Sequence, residues 1–154
     1  MDNIVVKFAT NEDIDKIIEF EKEARLTEPG VLYWSINDKE YKNKLIQLNL
    51  ESLENSKIVI VKQGDKVIGR CDICIMLSLV NCEKVGYVDW IYTLKNFRGR
   101  GIGKILLEKS ENYFKSRFVS YYFLMTASNE QAQEFYHRQD SLKFSKREVA
   151  EKDF

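Results

Sequence analysis

The chain has little of what would mark it for the cell exterior, a membrane or a nucleic acid. Its cysteines number three, an odd count without the spacing of a disulfide framework, which predicts a reducing compartment. No wholly apolar run is longer than Ile73–Leu77, which Ser78 ends, whereas a membrane-spanning helix needs about 20 such residues. Met1-Asp2-Asn3-Ile4 shows no basic stretch followed by an apolar one, so no export signal is expected and the predicted location is cytoplasmic. Neither sign of charge is in excess, with 24 Lys+Arg against 24 Asp+Glu, so the global basic field of a nucleic-acid binder is missing. The single proline, Pro29 before Gly30, marks one loop. The single histidine, His137, has no Ser and Asp constellation around it for a hydrolytic triad. What remains is 154 residues with 12% aromatics, neither disordered nor collagen-like. That length can bury roughly two thirds of the unfolded surface and predicts one domain over 1–154.

Periodicity sketches the elements. Ile4–Phe8 reads as a strand, and Thr10-Asn11-Glu12-Asp13 as a helix N-cap with an acidic residue three positions on. Helical spacing follows through Ile14, Ile17, Ile18 and Phe20 to about Arg25, and a second helix is predicted from Asn37 or Asp38 to about Leu53. The period then changes to two. Lys57–Lys62 and Lys66–Val80 are strand runs joined at Gln63-Gly64-Asp65, and Lys84–Leu94 is a third. Gly101 to about Arg117 reads as helix, Tyr121–Thr126 as strand, Asn129–Gln139 as helix and Leu142–Val149 as a last strand. The order β-α-α-β-β-β-α-β-α-β predicts an α/β fold, a mixed sheet of about six strands with helices on both faces. The strands around the Gly101 helix should be parallel.

One segment carries chemistry. Val88–Leu94 is followed by Lys95-Asn96-Phe97-Arg98-Gly99-Arg100-Gly101-Ile102-Gly103-Lys104, a glycine-rich loop that opens a helix. Glycines let a ligand approach the backbone, and the first-turn amides of a helix lack intrahelical acceptors. Their positive end suits a diphosphate, and Arg98, Arg100 and Lys104 add charge there. A P-loop would need Ser or Thr after Gly103-Lys104, where Ile105 stands, and a dinucleotide loop would need Gly-x-Gly-x-x-Gly in an early βαβ unit. Both nucleotide readings fit poorly.

The loop resembles the acyl-CoA loop of the GNAT superfamily of N-acetyltransferases, Arg/Gln-x-x-Gly-x-Gly/Ala, with Arg98, Gly101 and Gly103 at the matching positions. A second block, Asn129-Glu130-Gln131-Ala132-Gln133-Glu134-Phe135-Tyr136, is similar to the family's Asn-x-x-Ala-x-x-Phe-Tyr. The element order resembles the family's as well. The resemblance implies an acetyl-CoA-dependent transferase moving an acetyl group to a primary amine by direct transfer in a ternary complex. On it, Ile91, Tyr92 and Thr93 pair with the pantetheine arm, and Arg98, Gly99, Arg100, Gly101, Ile102, Gly103 and Lys104 cradle the diphosphate. Asn129 contacts the cofactor, Tyr136 protonates the departing thiolate, and Asp89 lies near where many members carry a carboxylate base. The chemistry asks for such parts. An amine of pKa about 10.4 must lose a proton to attack, whereas a thiolate of pKa about 8.5 leaves with modest help. The family's usual Gly-Phe after the Tyr helix is replaced here by Lys143-Phe144, with a short segment beyond it.

Other readings stand beside these. Tyr136 could be a core aromatic next to Phe135, and Asp89 a carboxylate facing water at a sheet edge. Cys71 and Cys74 would point to opposite faces of a strand, with no second ligand pair, so no metal is expected. Tyr33-Trp34 either line the acceptor pocket or plug the core. A module that binds acyl-CoA and transfers nothing is the alternative to the enzyme. The acceptor is expected to be a small-molecule or peptide amine, with no nucleic acid or membrane as partner, and a poorly covered sheet edge near Leu142–Val149 predicts a homodimer.

Overall fold

The computed structural model describes residues 3–32 and 35–154. Tyr33 and Trp34 lie outside the described residues. Five strands form one sheet in chain order: β1 (Ile4–Phe8), β2 (Ser56–Gln63), β3 (Lys66–Ser78), β4 (Glu83–Thr93) and β5 (Tyr121–Leu124). The first four pair antiparallel, and β5 runs parallel to β4. The parallel pair is possible because α3 (Ile102–Ser116) makes the crossover between them. The helices α1 (Ile14–Thr27) and α2 (Asp38–Leu48) precede β2, and α4 (Glu130–His137) follows β5.

The period-two pattern decides which residues meet which helices. In β2 the consecutive Val59, Ile60 and Val61 are all fully buried, because both faces of the sheet are covered. Ile60 joins Ile17, Phe20, Ala24 and Leu45 beneath α1 and α2. Val59 and Val61 join Cys71, Ile73, Ile102, Leu106 and Phe114 beneath α3. Thr10 caps the entry to α1 in a reciprocal box with Asp13, whose Oδ2 accepts from the Thr10 amide at 2.9 Å and from its hydroxyl at 3.1 Å. The second helix ends at Leu48 rather than Leu53. Asn49 takes a left-handed φ of 52° there, a conformation Asn tolerates and a helix cannot continue through.

The predicted sixth strand, Leu142–Val149, is absent, so the sheet has five strands rather than about six. A strand must bury a face and pair an edge. This run interleaves Lys143, Lys146, Arg147 and Glu148 among few apolar residues, and all but Leu142 are exposed. Phe144 instead stacks on the His137 ring at a centroid distance of 4.1 Å. The outer edge of β5 therefore carries no strand among the described residues.

On the α1–α2 side, Arg70 of β3 is only 5% exposed and Glu21 of α1 only 3%. Arg70 donates from Nη1 to Glu21 Oε1 at 2.7 Å and, through Nε and Nη2, to both oxygens of Asp72 at 2.7 Å. Its guanidinium lies 5.4 Å from the Trp90 ring. Removing one partner of such a group leaves a buried charge uncompensated, which costs far more than the pair itself contributes. Arg70→Met should therefore lower unfolding free energy by about 3–5 kcal/mol in urea denaturation. A loss below about 1 kcal/mol would mean that Arg25, with Nη1 3.4 Å from Glu21, compensates the carboxylate alone.

Candidate active site

Strand β4 holds one residue more than β3 can pair. Asp72 opposes Trp90 and Ile73 opposes Val88, so Asp89 is the extra residue of a β-bulge. The parallel ladder with β5 spans Val85 to Val88 and stops there. Beyond it the two strands part, and a cleft of about 710 Å³ opens between the Asp89–Thr93 edge of β4 and Met125, Thr126 and Ala127 after β5.

At one end of the cleft lies the glycine loop. Gly101 is the N-cap of α3 with φ of 78°, and no acidic residue stands in the first turn. The first intrahelical bond there runs from the Ile105 amide to the Gly101 carbonyl at 3.0 Å, so the amides of Ile102, Gly103 and Lys104 have no helical acceptor. A Cβ built on Gly99 or Gly101 would meet nothing within 4 Å, which leaves open space over the loop. Gly103 is different. A Cβ there would sit 2.7 Å from Cε2 of Phe135, so this glycine lets α4 pack against the start of α3.

The other predicted residues are distributed as follows. Ile91, Tyr92, Thr93, Arg98, Gly99, Gly101, Ile102, Gly103, Lys104 and Asn129 all line the cleft, as do Asp89 and Tyr136. Arg100 does not; its guanidinium lies 5.3 Å from the Phe97 ring. Asn129 is the N-cap of α4, its Oδ1 accepting from the Ala132 amide at 2.9 Å. Asp89 is exposed, and burial together with the Asp89 carboxylate pushes the neighbouring Tyr87 phenol up. Tyr136 is 5% exposed, and its hydroxyl makes no hydrogen bond among the described residues. Burial pushes its phenol above the ordinary value, which keeps it a proton donor at neutral pH.

Sequence reading missed two polar residues. Glu28, just past the end of α1, accepts from Arg98 Nη1 at 2.9 Å and also from Arg98 Nη2 and the Tyr92 hydroxyl. Gln131 of α4 accepts from Arg98 Nη1 at 2.6 Å. Neither carried a periodic or spacing signal. Only the position of Glu28 before the Pro29-Gly30 break hinted at a role.

Against known proteins, residues 14–140 match the acetyltransferase (GNAT) family. The chain belongs to the GNAT acetyltransferases. No curated protein sequence matches it. Solved structures share the GNAT fold at low identity. An aminoglycoside N-acetyltransferase in complex with CoA is 16% identical, covering 98% of this chain and 95% of that one at TM-score 0.75. An aminoglycoside acetyltransferase from an uncultured soil metagenomic sample, in complex with sisomicin, is 12% identical over the same shares, at TM-score 0.74. A ribosomal-protein-alanine N-acetyltransferase from Brucella melitensis biovar Abortus is 16% identical, covering 97% and 99% at TM-score 0.75. In this GNAT chain no group of His, Cys, Asp and Glu among the described residues is arranged to hold a metal ion.

The Glu28–Arg98 pair has a signature in pH. The Arg98 guanidinium holds the Glu28 carboxyl below its ordinary value of 4.5, so Glu28 ionises more readily in the folded than in the unfolded chain. The stability it contributes is fully present above pH 4.5 and is lost as pH falls through the lower folded value. Wild type should thus be more stable than Glu28→Gln at pH 7, with the gap closing below about pH 4.5. Paired thermal melts across pH 3–7 check this, and a gap that stays constant with pH would contradict it.

Proposed function

We propose that the protein is an acetyl-CoA-dependent N-acetyltransferase that acetylates a primary amine by direct transfer in a ternary complex. The observation that carries the reading is the parting of β4 and β5 at Asp89, with the α3 N-terminus at one end of the cleft and Tyr136 in its wall. The free amides of Ile102, Gly103 and Lys104 suit a diphosphate, and the Lys104 ammonium adds charge. The Asp89–Thr93 edge, which faces the cleft beyond the end of the β5 ladder, offers backbone groups to an extended amide-bearing arm. Acetyl-CoA supplies the activated acyl group. Asp89, exposed at the bulge, accepts the amine proton through water, and Tyr136 donates a proton to the departing thiolate. The backbone amide of a residue in Ile91–Thr93 stabilises charge on the acyl oxygen. Because the amine attacks the thioester directly, no enzyme nucleophile is used.

Two of the structural neighbours are named as aminoglycoside acetyltransferases and one as a ribosomal-protein-alanine acetyltransferase. Small polycationic amines and peptide amino termini are therefore the acceptor classes to try first. The uncovered outer edge of β5 is where a second copy would pair in the homodimer that the sequence suggests. The deciding experiment incubates the protein with acetyl-CoA and an amine panel, sisomicin and short peptides included, and follows free thiol. Acetyl-CoA binding without thiol release for any amine would leave a binding module.

Two variants separate the parts. Gly101→Asp adds a charge and a side chain to the open space over the loop, and calorimetry should find CoA binding abolished in a folded protein. Gly103→Asp is a poorer probe, since it also displaces Phe135. Tyr136→Phe keeps the ring and its packing. Turnover should fall about 10²–10⁴-fold with acetyl-CoA affinity nearly unchanged. Full turnover in that variant would make Tyr136 a packing residue.

A further inference from the structure

The Arg98 side chain is already committed. Its guanidinium has five N–H donors. Nε–H donates to the Thr93 carbonyl at 3.0 Å, the two Nη1 hydrogens serve Glu28 Oε1 at 2.9 Å and Gln131 Oε1 at 2.6 Å, and Nη2 donates to Glu28 Oε2. One N–H is left. Its charge is matched by the Glu28 carboxylate, and its flat face lies 5.1 Å from the Tyr92 ring. Such a group has little to offer a diphosphate.

The same contacts tie together segments that are remote in the chain. Arg98 leads into the glycine loop, Thr93 ends β4, Gln131 opens α4 and Glu28 follows α1. The backbone of Glu28 organises a turn of its own, its carbonyl accepting from the Val31 amide at 3.0 Å and the Leu32 amide at 2.9 Å. Val31 and Leu32 both line the cleft. Where Glu28 goes, that wall of the cleft goes with it.

We propose that Glu28 and Arg98 form a clasp that fixes the loop 28–32 as the acceptor-side wall of the cleft, making both positioning residues, with the diphosphate left to the backbone amides of the loop and α3 and to Lys104. This rests on the transferase reading. In it, one ion pair links the cofactor loop to the wall against which the amine must be aligned, and misalignment of reacting groups is costly in rate.

The test uses Glu28→Gln, Arg98→Gln, the double variant and Arg98→Lys, which keeps the charge but loses the fork. In the ligand-free protein, amide exchange at 28–32 should quicken about tenfold and to the same extent in all four, since each opens one shared contact. CoA affinity by calorimetry should stay within about threefold of wild type. With the amine found by the panel, KM for the amine should rise about tenfold while KM for acetyl-CoA holds, and the double variant should be no worse than the singles. Unchanged exchange at 28–32 would overturn the clasp. So would a loss of about a hundredfold in CoA affinity confined to Arg98→Gln, the mark of a phosphate ligand. If wild type itself binds no CoA, the transferase reading fails, and the exchange measurement still decides whether the clasp exists.

Discussion

At Asp89 the backbone of β4 departs from the ladder that orders the rest of the sheet, and the cleft of the candidate site opens at that departure. Up to Val88 the strand is paired on both sides, by β3 and by β5. A single extra residue cannot be absorbed by a ladder of period two without local twist and a break in pairing. The strands diverge, and the edge of Asp89–Thr93 is left facing a cleft instead of a neighbour. Backbone groups that face such a cleft require a partner when covered, and an extended ligand carrying amides can supply one. The bulge also sets Asp89 itself at the cleft with its carboxylate exposed.

The surrounding core holds that opening in shape. Beneath α1 and α2, the hydrogen-bonded set of Glu21, Arg70 and Asp72 lies next to the stacked rings of Trp90 and Tyr92, whose centroids are 5.7 Å apart. On the opposite face, α3 is seated by Ile102, Leu106 and Phe114, which directs its N-terminus to the end of the cleft. Two arginines thus play related parts at different depths. Arg70 locks the sheet to α1 where water is excluded, and Arg98 joins the end of β4 to Glu28 and α4 where water still reaches. The buried pair ties the sheet to α1, and the half-buried one borders the cleft.

Much of this was legible in the residues themselves. Local rules identified the glycine loop opening a helix, the helix that begins near Asn129, the hairpin at Gln63-Gly64-Asp65 and the strand run of β2, because each depends on neighbours within a few positions. They went wrong where a partner had to be supplied from far away. The run Leu142–Val149 is expected to be a strand, yet among the described residues nothing pairs with it. Nor did they show that Gly103, besides its place in the loop, admits the Phe135 ring. No local rule showed that Glu28, far away in the chain, takes up two of the five Arg98 donors.

The residues alone were enough for the class of fold, the family resemblance and the glycine loop that opens a helix, since periodicity and glycine spacing are short-range properties of the chain. Only the tertiary structure decided that the sheet stops at five strands, that Asp89 is a bulge and that Glu28, Tyr92, Arg98 and Gln131 form one cluster. Register and ion pairing between distant segments depend on which surfaces meet in three dimensions, and no local pattern encodes which carboxylate a given arginine will find.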